Sequence, residues 1–149
     1  MFVPPHRPLP ETHSIRKAMS IINDAKKPIL IVGGGVRWSK AGDLVDELSK
    51  KLKIPVATSL NGKDVIDATN PLNVGVVGTY SRASANKSVL AADLAIFIGT
   101  DLGGMITNFG LSQKLELKQF ILILIQKSWG ETIHLKLELW LMQEWHFRK

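Results

Sequence analysis

The stretch that decides the fold is Pro28-Ile29-Leu30-Ile31-Val32-Gly33-Gly34-Gly35. Consecutive aliphatic residues that end in glycines are typical of a parallel strand buried on both faces of a sheet. Glycines directly after a strand also permit a tight turn into a helix. The stretch therefore predicts a buried parallel strand followed by a strand-to-helix turn.

Helical patterns flank this strand on both sides. Before it, Thr12 or Ser14 can cap a helix that ends near Ala25, and its apolar residues recur at helical spacing: Ile15, Ala18, Met19 and Ile22. After Ser39 a second helix is predicted, with an apolar face made of Ala41, Leu44, Val45, Leu48 and Leu52. Residues 1–11 contain prolines at positions 4, 5, 8 and 10 and predict an extended arm or linker.

Two further strands are predicted along the chain. Ile54–Thr58 gives a short strand, and a loop through Asn61-Gly62 to Gly75 and Gly78 follows it. Ser84 can cap a helix through Ala92, and Asp93–Gly99 reads as another buried strand ending in glycine. Strands that alternate with helices in this way predict a three-layer α/β sandwich with a mostly parallel sheet. Ligands in such sheets bind at the carboxyl ends of the strands.

Composition narrows the classes of function. The 149 residues fit one domain, and the absence of cysteine excludes disulfides and thiolate catalysis. The net charge of +6 is scattered along the chain, and no nucleic-acid-binding motif accompanies it. No apolar run reaches the length of about 18 residues that a membrane span needs, and the N-terminus lacks the features of a signal peptide. We expect a cytoplasmic protein without a nucleic-acid or membrane partner.

Two long stretches resemble the central domain of thiamine diphosphate-dependent enzymes of the acetolactate synthase and benzoylformate decarboxylase type. They are KPILIVGGGVRWSKAGDLVDELSKKLKIPVATSLNGKDVI and NPLNVGVVGTYSRASANKSVLAADLAIFIGTDLGGMITNFG. The resemblance covers about residues 12–110. It implies a Rossmann-like fold, and it implies that residues 12–117 are the central domain between the linker and an atypical tail, residues 118–149.

The resemblance also carries expectations about cofactors. Enzymes of this kind bind thiamine diphosphate and Mg²⁺ through their other two domains, act on 2-oxo acids such as pyruvate, and in some members hold FAD or an adenine nucleotide in the central domain. This chain carries neither catalytic part of that pattern, since Gly42-Asp43 lacks the second glycine of the metal-binding motif. We therefore expect no catalytic residue, no metal ligand and no cofactor bound by this chain alone.

The ends of the predicted strands give some candidate nucleotide contacts, and the resemblance implies the others, in the segments that match Thr-Thr-Leu-Gln-Gly and the second glycine loop of flavin-binding relatives. The candidates are Gly33, Gly34, Gly35, Thr58, Ser59, Leu60, Gly78, Thr79, Gly99 and Thr100. Glycines allow backbone amides to approach a phosphate, but a tight turn that needs glycine for packing explains the first cluster equally well. Flavin-binding relatives have arginines where this chain has Asp101 and Met105. Because aspartate repels a diphosphate that arginine would bind, these two residues disfavour FAD or ADP.

The tail departs from the family pattern from about Lys118. Three of the four tryptophans fall there, at Trp129, Trp140 and Trp145. Read in a shifted frame, the codons of residues 118–126 permit Thr-Ile-His-Ile-Asp-Ile-Asp-Pro, which resembles the family's next strand. We hypothesise a frameshift near codon 118 and a premature stop after Lys149, which the nucleotide sequence tests; a cloned fragment with an unrelated tail would look the same. In the tail as it stands, Phe120–Ile125 is a possible buried strand, and His134–Leu139 alternates like a strand and favours association if unpaired.

Three interpretations of function stay open at this point. The chain is a non-catalytic central domain of a thiamine diphosphate enzyme, a module that binds FAD or ADP, or a subunit that completes separately encoded catalytic chains. The expected partners are catalytic domains of the same enzyme family or a second copy of the chain.

Overall fold

A computed structural model describes residues 12–79, 81 and 83–100, together with the backbone of residues 119–126 and 134–141. Helix α1 covers Thr12–Asp24, and strand β1 covers Pro28–Val32. A five-residue helix, α2 (Gly34–Trp38), and helix α3 (Gly42–Leu52) lead to strand β2 (Val56–Thr58). A 3-10 turn at Leu60–Gly62 precedes strand β3 (Asn73–Val76), helix α4 (Ala83–Leu90) and strand β4 (Leu94–Ile98). Strands β5 (Gln119–Gln126) and β6 (His134–Leu141) follow.

The strands form one six-stranded sheet in the order β3-β2-β1-β4-β5-β6. The first five strands are parallel, and β6 is antiparallel to β5. Strand β1 pairs with β4 along its whole length, from Pro28 opposite Leu94 to Val32 opposite Ile98. The chain runs from β1 outward to β2 and β3 and then returns to the other side of β1. This reversal of direction is the topological switch point of a doubly wound sheet.

Alternation along the central strands divides the core between the two faces of the sheet. Leu30 and Val32 belong to the cluster that packs under α1, α2 and α3, and Ile29 and Ile31 belong to the cluster under α4. All four side chains are at most 1% exposed, so β1 is buried on both faces. The predicted three-layer α/β sandwich with a mostly parallel sheet is confirmed.

Charged residues at both ends of helix α3 stabilise it, and a buried serine fixes the point where the chain leaves it. Asp43 lies in the first turn and Lys50 and Lys51 in the last, which complements the helix dipole. The Ser49 hydroxyl, buried within the helix, donates to the Ile54 carbonyl at 2.8 Å, and the Ile54 N–H donates back to the Ser49 carbonyl at 3.0 Å. These reciprocal bonds turn the chain out of α3 toward β2.

The structure corrects several details of the predicted elements. Helix α2 is an additional short helix directly after β1, and the helix predicted after Ser39 is present as α3. Strand β3 lies within the predicted loop, because Asn73–Val76 pairs with β2 although Gly75 interrupts any apolar alternation. Ser84 does not cap α4; the helix begins at Ala83, and the Ser84 hydroxyl donates to the Val74 carbonyl at 3.1 Å.

The apolar faces of α1 and α3 are narrower than their spacing predicts. Leu44 is 69% exposed and Leu48 is 36% exposed, whereas Val45 is buried and Ser49 takes a place on the packed face. On α1, Ala18 is buried but Ile15 and Met19 are largely exposed. Hydrophobic spacing identifies the helices correctly, but the register of the packed face follows from the sheet beneath them.

The tail contributes two strands to the sheet. Strand β5 pairs in parallel with β4 from Gln119 opposite Leu94 to Ile123 opposite Ile98, so it occupies the position next to the central strands. Strand β6 closes the described sheet as its outermost strand. The two segments predicted as strands in the tail therefore have strand backbone, while the boundaries of the linker, central domain and tail stay predictions.

Candidate functional site at the carboxyl edge of the sheet

All the residues predicted to contact a nucleotide follow the carboxyl ends of four neighbouring strands. Gly33–Gly35 follow β1, Thr58–Leu60 end and follow β2, Gly78 and Thr79 follow β3, and Gly99 and Thr100 follow β4. Because parallel strands end at the same edge of a sheet, these four loops share one edge. We call this the carboxyl edge.

The loops after β1 and β4 are joined by backbone hydrogen bonds. The Gly33 N–H donates to the Ile98 carbonyl, and the Gly35 N–H donates to the Gly99 carbonyl, each at 2.9 Å. A Cβ built on Gly33 would lie 2.3 Å from Thr100 Cβ, although the extended backbone of Gly33 itself suits any residue. Gly99 has a φ of +61°, and a Cβ there would lie 2.7 Å from the Val36 nitrogen. These glycines bring the two loops into direct contact.

Backbone hydrogen bonds also join the loop after β2 to the end of β1. The Ser59 N–H donates to the Val32 carbonyl at 2.8 Å. The Gly62 N–H donates to both the carbonyl and the hydroxyl oxygen of Ser59, at 3.0 and 3.2 Å. A Cβ on Gly62 would lie 2.6 Å from the Val32 carbonyl oxygen. The Thr58 and Ser59 hydroxyl residues, which the sequence marks as ligand contacts, are buried, at 1% and 5% exposure.

The loop after β3 is held by an asparagine that sequence reasoning missed. Asn86 of α4 accepts from the Gly78 N–H at 3.2 Å and donates to the Ser81 hydroxyl at 2.7 Å. Neighbouring Val77 donates its N–H to the Thr58 carbonyl at 2.9 Å, which ties the same loop to β2. No sequence signal distinguishes Asn86 from a solvated residue of α4, because its partners precede it by five and eight positions.

The hydrogen bonds at the carboxyl edge help to distinguish the two interpretations of the glycine cluster, phosphate binding and close packing. A phosphate held by a glycine loop needs N–H groups that are not already donating. At Gly33, Gly35, Gly62 and Gly78 the N–H groups donate to the protein's own oxygens. These four N–H groups already have partners within the protein, and the contacts support packing as a reason for the glycines. The individual ligand contacts stay predictions.

An ion pair lies near the edge. The Arg37 guanidinium of α2 pairs with Asp64, which follows the 3-10 turn, so this arginine already has an acidic partner. Asp101 and Met105, on which the argument against FAD depends, lie outside the described residues.

A second polar cluster anchors the loop before β3 to α3. Asn70 donates to Asp46 at 2.6 Å, and Lys50 donates to the other oxygen of the same carboxylate at 2.6 Å. The hydrogen bond from Lys50 lowers the pKa of Asp46 below its ordinary value of 3.8; burial raises this pKa by less, and the hydrogen bond from Asn70 lowers it further. The same contact raises the pKa of Lys50. The cluster is an ion pair with a buried amide, an arrangement that fixes a loop.

The described residues offer neither a metal site nor a membrane-spanning helix. No group of three or more histidine, aspartate or glutamate side chains lies close enough together to hold a metal ion in this part of the chain. Among the helices that the structure describes, none combines the length and apolarity of a membrane-spanning segment.

The sheet topology and the closely packed glycines at the carboxyl edge define a doubly wound α/β domain. The family model described as "Thiamine pyrophosphate enzyme, central domain" matches residues 15–134. The chain therefore belongs to the family of thiamine pyrophosphate enzyme central domains. Thiamine pyrophosphate is another name for thiamine diphosphate. The match runs beyond Gly110, where the quoted motifs end, and into the tail that begins near Lys118.

Individual relatives support the same assignment. The chain is 35% identical over 127 residues to a 3D-(3,5/4)-trihydroxycyclohexane-1,2-dione hydrolase of Clostridium perfringens, covering 85% of this chain and 20% of that protein. It is 41% identical over 91 residues to the hydrolase of the same name from Geobacillus thermodenitrificans, covering 61% of this chain and 14% of that protein. It is 37% identical over 105 residues to an acetolactate synthase large subunit of Cyanidium caldarium, covering 69% and 18% respectively.

These relatives are much longer than the chain. The chain spans about a fifth or less of the length of the curated relatives that it matches. Their shared family is one of thiamine diphosphate-dependent enzymes.

Proposed function

We propose that this chain is a structural central domain of a thiamine diphosphate-dependent enzyme and that it has no catalytic activity by itself. The observation that carries the proposal is the closed junction between β1 and β4 at the switch point. There the Gly33 and Gly35 N–H groups donate to the Ile98 and Gly99 carbonyls. Because these N–H groups already donate within the protein, the junction supports a structural role for this edge.

Thiamine diphosphate supplies the reactive carbanion in this class of enzyme, so catalysis requires the groups that bind and activate it. In the proposed arrangement those groups belong to other parts of the enzyme. The residues of this chain would act by holding a rigid sheet and by presenting its surface to the catalytic domains.

The proposed substrate of the complete enzyme is a 2-oxo acid, as the acetolactate synthase relative suggests. A second candidate is a cyclic 1,2-dione, because the relatives from Clostridium perfringens and Geobacillus thermodenitrificans carry the name of a cyclohexane-1,2-dione hydrolase. Both classes present two adjacent carbonyl groups. Assaying the complete enzyme with pyruvate and with the dione distinguishes the two candidates.

The chain itself is tested by an activity assay with thiamine diphosphate, Mg²⁺ and pyruvate. We expect no decarboxylation and no condensation, and measurable turnover by the purified chain contradicts the proposal. A positive control is an acetolactate synthase assayed in the same buffer.

Nucleotide binding is tested separately by thermal unfolding with FAD, ADP and coenzyme A. A ligand that binds the native state raises the unfolding temperature, and the shift grows with the logarithm of ligand concentration once this exceeds the dissociation constant. We expect no shift with any of the three. A shift that grows with ligand concentration would instead favour the nucleotide-binding module, and co-purification with a separately encoded thiamine diphosphate-binding chain would favour the role of a completing subunit.

A further inference from the structure

The 3-10 turn after β2 contains the single Asn-Gly pair of the sequence, Asn61-Gly62. Asparagine is one of the thermolabile residues of proteins. Its side-chain amide is open to attack by the nitrogen of the next residue, and a glycine there has no side chain to hinder the approach. Asn61 is exposed, so water reaches it. The pair therefore has the chemistry of a deamidation site.

Deamidation of such a pair proceeds in two steps. The Gly62 nitrogen bonds to Asn61 Cγ, the bond from Cγ to Nδ2 breaks, and the departing NH2 group takes the Gly62 proton and leaves as ammonia. Water then adds to one of the two carbonyl groups of the cyclic imide and breaks its C–N bond. The product is aspartate, or isoaspartate, in which the main chain is longer by one methylene group. The first step therefore requires a Gly62 nitrogen that can lose its proton and approach Cγ.

The folded turn makes this nitrogen unavailable. The Gly62 N–H donates to the carbonyl and hydroxyl oxygens of Ser59, at 3.0 and 3.2 Å. Gly62 is also buried, although Asn61 beside it is exposed. A Cβ built on Gly62 would lie 2.6 Å from the Val32 carbonyl oxygen, so the end of β1 leaves no room for Gly62 to move in that direction. Both the proton and the position of the nitrogen are fixed by the fold.

We propose that Asn61 is a deamidation site that the folded turn protects, and that it reacts after the hydrogen bonds from Gly62 to Ser59 open. Local opening of this kind is a general property of surface turns. Once isoaspartate has formed, the longer main chain does not fit the space beside the Val32 carbonyl oxygen, and the turn cannot close again. Deamidation at this position is a one-way change that opens the carboxyl edge.

The test compares the full chain with a synthetic peptide of residues 54–63, both kept in mildly alkaline buffer. Trypsin cleaves after Lys53 and Lys63, and Asn61 is the single side-chain amide of the fragment that it releases, so a rise in mass assigns the reaction to this residue. Amide hydrogen exchange at Gly62 measures independently how often the turn opens. We expect deamidation to be slower in the chain than in the peptide by at least the factor by which exchange at Gly62 is slowed.

Ser59→Ala removes the hydroxyl acceptor of the Gly62 N–H and leaves the carbonyl acceptor in place. Exchange at Gly62 and deamidation at Asn61 are expected to accelerate together, by about twofold to tenfold. Ser88→Ala, the same change on α4, is the matched control and should alter neither rate. Circular dichroism shows whether each variant keeps its fold, and the comparison of the unmutated chain with the peptide depends on neither variant.

The irreversible consequence is tested on a chain that has been deamidated in urea and then refolded. We expect the isoaspartate form to exchange rapidly at Gly62, whereas Asn61→Asp, which has the same charge on an ordinary main chain, keeps the protection. Equal protection of the two forms contradicts the one-way change. A chain that deamidates as fast as the peptide overturns the proposal, as does a peptide that stays unmodified or a slowing smaller than that of exchange.

Discussion

Gly33 lies so close to Thr100 that a single methyl group between them would be 2.3 Å from Thr100 Cβ. This contact joins the loop after β1 to the loop after β4 at the point where ligands enter many doubly wound sheets. The nearby Gly33 N–H bond to Ile98 reinforces it. The sequence leaves open whether the glycine cluster binds phosphate or permits close packing, and the contact of Gly33 with Thr100 supports packing.

The first prediction concerns Gly33→Ala. The added methyl group meets Thr100 Cβ at 2.3 Å and the Gly99 carbonyl oxygen at 2.4 Å, so the backbone must shift to admit it. Overpacking of this kind costs roughly 1–3 kcal/mol. Urea denaturation followed by circular dichroism measures the loss in the free energy of unfolding.

Gly34→Ala is the control for that experiment. Its methyl group would meet Asn61 Cβ at 3.3 Å, a contact that requires only a small adjustment, and Gly34 is the first residue of α2, where alanine is a better helix former. We expect a much smaller change in stability than for Gly33→Ala. Equal losses in the two variants contradict the close-packing account of Gly33.

The second prediction concerns the pH dependence of stability around Asp46. Because the folded protein lowers the pKa of Asp46, the carboxylate stabilises the fold above its ordinary pKa of 3.8, and this contribution is lost as the pH falls through the lower folded value. Asp46→Asn should flatten the acid limb of a plot of unfolding free energy against pH.

The flattening is expected to be partial. The pKa of Asp67 is also lowered, first by the backbone N–H of Thr69, so Asp67 continues to contribute in the same acid range. Glu47→Gln removes a carboxylate from the next position of α3, where it is exposed, and serves as the matched control. An acid limb that is unchanged by Asp46→Asn would show that the Lys50 and Asn70 contacts do not stabilise the folded state.

The third prediction concerns the buried hydroxyl of Ser49. Ser49→Ala removes the 2.8 Å hydrogen bond to the Ile54 carbonyl in a place that is fully buried. Loss of one partner of a buried hydrogen bond costs about 1–3 kcal/mol. Ser88→Ala is the control, because the Ser88 hydroxyl donates to Ser84 at an exposed site and its loss should change little. Chemical denaturation of the two variants in parallel is the measurement, and equal stability of both contradicts the role assigned to Ser49.

The fourth prediction concerns Asp93, whose carboxylate joins the start of β4 to the turn before β1. Its two oxygens accept from the Lys26 and Lys27 N–H groups at 2.8 Å each, and its own N–H donates to the Lys27 carbonyl at 3.1 Å. Asp93→Ala should speed amide hydrogen exchange at Lys26 and Lys27 while leaving the centre of β1 protected. Asp24→Ala, an exposed carboxylate at the end of α1, is the control, and unchanged exchange in Asp93→Ala opposes the prediction.

Sequence patterns predict the type of most elements in this domain because local rules govern them. The aliphatic run at Ile29–Val32 forms a buried strand. Val45 and Leu52, which recur at helical spacing, both pack against the core from α3. Patterns fail where long-range partners decide the outcome. Asn73–Val76 is a strand because β2 supplies its hydrogen bonds, and Leu44 is exposed because the sheet meets the neighbouring side of α3.

The candidate site divides in the same way. Sequence alone places Gly33, Thr58 and Gly99 at strand ends, and the structure brings them to one edge together with Gly78, which follows the unpredicted strand β3. It does not reveal that Asn86 holds the Gly78 loop or that Arg37 pairs with Asp64, since both contacts join residues from separate elements. Partners that are far apart in sequence leave no local pattern.

The sequence by itself determined the class of fold and the family, because the buried strands and their glycines are recorded in the order and type of the residues. Only the tertiary structure decided what the glycines do. A glycine permits a close approach by a ligand or by another part of the chain, and the residue is the same in both cases. The answer depends on what occupies the space beside its missing Cβ, and at Gly33 that space holds Thr100.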